Sequence, residues 1–144
     1  MKGNKTDAIP WIAKADHDLG TAMITFLHIP DFYDTVTFHC QQAVEKYLKS
    51  LLVFFDIDFK PTHDLVYLQE LIRTHDPSIE DYYEKILKLQ NYAVEVRYPD
   101  ETIFLSHDKV MEAITTAKLI RNLVVNKMVV IIDYNPIIDS ELPK

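Results

Sequence analysis

One cysteine, two glycines and no long apolar run set the first limits on this chain of 144 residues. A lone Cys40 excludes an intramolecular disulfide framework and fits a reducing compartment. Its position on an apolar helical arc makes it a small core residue before it is a nucleophile. Gly3 and Gly20 are too few for primed hairpin turns or phosphate-cradling loops, and no P-loop, Gly-Ser nucleotidyltransferase motif or kinase signature is present. The six histidines are scattered, without an H-x-x-x-H or a Cys/His cluster, so no metal site is expected. Asp16, His17 and Asp18 are consecutive, and a helix fans them apart instead of converging them on one ion. The longest apolar runs, Leu51–Phe55 and Met128–Ile132, are far short of a membrane span, and the polar opening Met1–Asp7 is not a secretory signal. A soluble, cytoplasmic protein without membrane contact is expected. The formal charge of -7 argues against a broad basic surface that tracks a nucleic-acid backbone.

What remains is helix-forming material. Hydrophobic residues at 48% and charged residues at 26% suit one domain with one core. Thr6, Asp7 and Pro10 open a first helix over about 7–28, with Ile12, Ala15, Leu19, Ala22, Met23 and Phe26 at helical spacing. Ile29-Pro30 breaks it, and Asp31 or Asp34 is expected to cap a long second helix over about 33–56. Thr62 is expected to cap a third, with Leu65, Leu68, Leu71 and Ile72, ending near Pro77. Ser78 is expected to cap a fourth, with Tyr82, Ile86, Leu89, Ala93 and Val96 on one stripe. Ser106 and Asp108 begin a fifth, carrying Val110, Met111, Ile114, Ala117, Ile120 or Arg121, and Val124. The pattern predicts an all-α, five-helix up-and-down bundle over residues 1–127. Residues 128–144 form an apolar, β-branched C-terminal tail, expected to pack on the bundle or on a partner subunit.

The second helix carries the most information. Val36, Cys40, Ala43, Val44, Tyr47, Leu48, Leu51, Phe54 and Phe55 share an apolar arc, while His39, Gln42, Lys46 and Lys49 fall on the other side. The plain reading of that row is a solvated face in which Glu45 pairs with Lys49 one turn later. The functional reading is a nucleotide site, since an ammonium and neutral hydrogen-bonding groups suit a phosphate and a base. Phe38 lies on the polar side, the position of an aromatic for base stacking or a dimer interface. Tyr82, Tyr83 and Tyr92 are read as core packing.

Four ordered stretches resemble one known family. They are Ile12-Ala13-Lys14-Ala15 with Asp18-Leu19 and Ala22; Phe38-His39-Cys40-Gln41-Gln42-Ala43-Val44-Glu45-Lys46-Tyr47-Leu48-Lys49-Ser50-Leu51-Leu52; and His63-Asp64-Leu65 followed later by Arg97-Tyr98-Pro99-Asp100. From about Trp11 to Val124 the chain resembles the HEPN domain family. The resemblance implies a five-helix bundle, a homodimer, and an association with a separate minimal nucleotidyltransferase in toxin-antitoxin or defence modules. It also implies either a metal-independent RNase built on an Arg, a short spacer and a His, or a nucleotide-binding or accessory module. Here no histidine follows Arg97 within four to six residues, and the next is His107. The chain is therefore read as a binding or accessory module, with no cofactor beyond a nucleotide ligand and no intact RNase pattern. The rivals are an RNase toxin using Arg97 with His107 or His39, which would cleave RNA, and a purely structural dimerisation module. The ligand candidates are His39, Gln42, Lys46, Lys49, His63 and Arg97. For His63 a hydrogen bond at the start of the third helix is preferred over a ligand role, and for Arg97 a role at the fourth helix's C-terminus competes with phosphate binding.

Overall fold

The computed structural model describes residues 5–96, 105–130, 132, 135 and 137–139. Their order is α1 (Lys5–His28), α2 (Tyr33–Phe54), α3 (Leu65–His75), a 3₁₀ segment (Pro77–Tyr82), α4 (Tyr83–Val96) and α5 (His107–Met128). No strand occurs among the described residues. The chain is a helical bundle, as its periodicities require. α2 is its axis, packing against α1, α3, α4 and α5, with the α1–α2 hairpin as the most extensive contact.

The apolar stripes meet around α2. Ile12, Ala15, Leu19, Ala22 and Phe26 from α1 close on Val36, Cys40, Ala43, Val44, Tyr47, Leu48 and Leu51, with Ile86 and Leu89 of α4 and Ile114, Ala117, Ile120 and Val124 of α5. Cys40 is fully enclosed, and burial pushes its thiol above the ordinary range, so it is a core residue. Phe54 and Phe55, expected on the apolar arc, are only half-buried, because α2 ends there at the rim of the core.

The caps differ from expectation at three places. α2 starts after Phe32 without a side-chain cap, and Asp34 sits in the first turn, where its charge meets the helix dipole. The connection after His28 supplies instead a backbone bond from Phe32 N–H to Ile29 O at 3.0 Å. Asp64 caps α3 by accepting the Tyr67 N–H at 3.1 Å, and Thr62 only accepts from Asp64. After α3, Asp76 accepts from the N–H and hydroxyl of Ser78 at 3.1 and 2.7 Å, so Ser78 is bound by the cap instead of forming it. Pro77 opens a 3₁₀ segment there, α4 begins at Tyr83, and Tyr82 is half-buried beside the core, not on α4's stripe. At α5, Ser106 caps by accepting from Lys109 at 3.2 Å, as its sequence position predicts. The side chains of Ala93 and Val96 and the segment Arg97–Phe104 lie outside the described residues.

Asp76 also ties this corner to α5, whose Lys127 ammonium binds both the Asp76 carboxylate and, at 2.8 Å, Ser78 Oγ. Lys127 first, then the Ser78 hydroxyl, holds the Asp76 carboxyl down at about 2. A carboxylate more acidic when folded than when unfolded stabilises the fold above its unfolded pKa, and that contribution disappears as the pH falls through the folded value. The Asp76 contribution is thus expected to be complete above about pH 4 and lost towards pH 2. Asp76→Asn is expected to cost about 1–2 kcal/mol at neutral pH and to flatten that part of the curve. Urea unfolding between pH 2 and 7 measures it, and identical slopes in the two proteins would count against the assignment.

Candidate functional site at the helix one to helix two seam

Nearly three turns of α2 place His39, Gln42, Lys46 and Lys49 along one edge, and α1 lies beside that edge. Asp18 of α1 reaches across. Its Oδ1 accepts the His39 Nδ1 proton at 2.9 Å and its Oδ2 binds the Lys46 ammonium. Since a carboxylate only accepts, this bond fixes the proton on Nδ1 and leaves Nε2 of the neutral ring as an acceptor. His39 and Lys46 each keep about a quarter of their side chain exposed. They are oriented side chains at a solvent edge, and half-buried Gln42 stands between them.

Lys49 is placed differently. It is 8% exposed, 3.0 Å from Glu45 Oε2, with its ammonium 5.7 Å from the Trp11 ring centroid and 5.9 Å from that of Phe59. Glu45 is 3% exposed, and its other oxygen accepts from His63 Nδ1 at 2.8 Å. His63 itself is 71% exposed, a lid over a buried ion pair. The His63 bond runs to α2 and not to the start of α3, which Asp64 serves.

Phe38 projects from the same edge with 51% of its surface exposed, its ring edge-on to His39 at 5.3 Å between centroids. His107 is remote from this row in its contacts, since it opens α5, packs its ring on Phe26 at 5.1 Å, and lies 3.9 Å from Asp108. Arg97 falls outside the described residues. Among those described, the structure brings His39, Gln42 and Lys46 onto one edge and turns Lys49 inward. No group of three or more metal-ligating side chains occurs among the described residues, and no helix there is long and apolar enough to cross a membrane.

A second polar cluster was not expected as a cluster. Arg121 of α5, 7% exposed, donates to both oxygens of Asp16 at 2.9 and 3.4 Å and lies 3.5 Å from Asp139. Tyr47 of α2 donates its hydroxyl to the same Asp16 oxygen. Burial first, then the Asp16 charge, pushes the Tyr47 phenol well above its ordinary range, so it serves as a proton donor in a bond and not as an anion. Burial disfavours charge on Arg121, yet the Asp16 hydrogen bonds and charge outweigh it and raise the guanidinium further. Asp16 and Asp18 are thus fanned to different partners, Arg121 and Tyr47 for the first and His39 and Lys46 for the second.

Residue spacing missed Asp18 as the group that orients His39 and Lys46. The available signal was an acidic residue among the first stretch shared with the family, facing a His and a Lys in the second. Likewise Glu45 of the second stretch meets His63 of the third. Stretches far apart in sequence are therefore laced by hydrogen-bonded ion pairs.

Comparison with known proteins agrees with this architecture. The model of the HEPN domain matches residues 9–128. A crystal structure of an archaeal HEPN homologue is 27% identical, with a TM-score of 0.67, over 89% of this chain and 99% of that one. No curated protein matches the chain.

Proposed function

Because this chain belongs to the HEPN domain family, we propose that it works as a nucleotide-binding or accessory module whose ligand lies along Phe38, His39, Gln42 and Lys46. One observation carries this reading: an exposed aromatic stands against a histidine and a lysine that share one orienting carboxylate, Asp18. A base stacks on Phe38, the Gln42 amide and His39 Nε2 meet its polar edge, and Lys46 offers N–H donors to a phosphate. Asp18 already offsets the Lys46 charge. The row therefore favours one nucleotide, held by shape and hydrogen bonds, over a long polyanion gripped by charge, in line with the net charge of -7.

The finer reading is a homodimer that serves a separate minimal nucleotidyltransferase in a toxin-antitoxin or defence module. Exposed Ile24, Leu27, Ile29 and Phe32 at the α1–α2 turn support a protein-facing surface. Equilibrium sedimentation of the purified chain tests the dimer.

A second reading, a divergent metal-independent RNase, is favoured by the Asp18–His39 bond, which orients an imidazole as proton acceptor. One experiment separates the two. The chain is incubated with mononucleotides and short RNAs in chelator, and thermal unfolding and RNA integrity are read together. A nucleotide at 100 times its Kd is expected to stabilise the fold by about 2.7 kcal/mol, with the shift reduced in Gln42→Ala and Lys46→Ala and the RNA intact. RNA cleavage that is lost in His39→Ala would exchange the two readings, and no shift with intact RNA would leave the structural module.

A further inference from the structure

We propose that the open groove over Trp11 is a separate subsite for one flat aromatic ring bearing an anionic group, the chemistry of a nucleoside monophosphate. Among the described residues the groove is lined by Pro10, Trp11 and Lys14 of α1, and it offers about 140 Å³. That volume is below the roughly 300–1,000 Å³ of sites that enclose a whole small molecule, so the groove takes a single ring, with the anionic substituent outside it, and not an oligonucleotide.

Its walls supply complementary chemistry. The indole is held on two sides: Phe59 meets it edge-on at 6.5 Å and 71°, and the Lys49 ammonium lies 5.7 Å from its centroid. The Lys49 restraint is itself fixed by Glu45, and Glu45 by His63. A stacking surface ordered before the ligand arrives loses little freedom on binding. Lys14, one turn from Trp11 on the same face, is exposed, and its ammonium pairs with no carboxylate among the described residues. Lys46 and Lys49, on α2, are by contrast both neutralised by carboxylates. The ring thus stacks on Trp11 while its anionic group meets Lys14, the local cation with charge to offer. This subsite stands apart from the His39–Gln42–Lys46 row and does not depend on it.

Trp11 is the chain's one tryptophan and reports directly on the groove. The full chain is titrated with adenosine 5′-monophosphate, adenosine and inorganic phosphate while Trp11 fluorescence is followed, in wild type, Lys14→Glu and Gln42→Ala. Lys14 is exposed, so its variant should fold, and circular dichroism checks this. The expected result is a saturable change with the monophosphate, a weaker one with adenosine, competition by phosphate, and a loss of affinity of about fivefold or more in Lys14→Glu. Gln42→Ala should leave the response unchanged. A silent Trp11 while the monophosphate still raises the melting temperature would overturn the groove and spare the α2 row. A response that survives Lys14→Glu undiminished, or vanishes in Gln42→Ala, would overturn it as well.

Discussion

Replacing Arg121 by alanine is expected to lower the free energy of unfolding by about 3–5 kcal/mol, the usual result of breaking a buried ion pair from one side. The guanidinium is 7% exposed and joins Asp16 of α1 to Asp139, while Tyr47 of α2 donates to the same Asp16 carboxylate. Without it, Asp16 keeps only the phenol, and a largely enclosed carboxylate stands without a countercharge. A domain of ordinary stability has about 5–15 kcal/mol in total, so this single change removes from about a fifth of it to nearly all of it. Arg121→Lys should recover only part, because an ammonium cannot occupy both Asp16 oxygens as a planar fork does. Arg121→Met together with Asp16→Leu should recover most of the loss, since no unpaired charge is then left inside. Urea unfolding followed by circular dichroism measures the series. A loss below about 1 kcal/mol for Arg121→Ala would mean a solvated guanidinium and a network that contributes little.

Glu45→Ala is the second large effect, at about 3 kcal/mol or more. It strips Lys49, 8% exposed, of its carboxylate, and leaves the ammonium with only the faces of Trp11 and Phe59. Cation–π contacts contribute about 0.5–2 kcal/mol, too little to offset the desolvation of a lone ammonium. Lys49→Met on that background should restore stability, because the methionine fills the same space without a charge. His63→Ala should cost less than about 1 kcal/mol, since that side chain is mostly in water. The ordering Glu45→Ala well above His63→Ala is the result to look for. Equal losses would mean that the exposed bond, not the buried pair, carries the stabilisation.

These two pairs also mark how far residue spacing could reach. A period near 3.6 in Ile12, Ala15, Leu19, Ala22 and Phe26, and again in Ile86 and Leu89, located the helices within a few residues, since each stripe must be buried somewhere. Cap identity was less legible, because Thr62 and Asp64, or Asp76 and Ser78, offer equivalent acceptors two residues apart. Only backbone geometry chooses between them: Asp64 and Asp76 both adopt the extended conformation of an N-cap. For α5 the spacing left Ile120 or Arg121 on the inner stripe, and both are inside. A helical stripe is wide enough for two neighbours. Whether the second is tolerated depends on what faces it, here a carboxylate 105 residues away in sequence.

The candidate site divides in the same manner. The sequence by itself determined that His39, Gln42, Lys46 and Lys49 share one side of a helix, because the α-helical period is a local property of the backbone. It determined the bundle, and with the ordered stretches it led to the family. Tertiary structure alone decided what each polar group meets: Asp18 beneath His39 and Lys46, Trp11 and Phe59 over Lys49, and Asp16 against Arg121. The physical reason is that charge and hydrogen-bond pairing act over a few ångströms in space, whatever the separation along the chain. A lysine on a helical wheel is the same letter in water or under an indole, and only the packing of α1 on α2 makes Lys46 an oriented donor and Lys49 a buried cation.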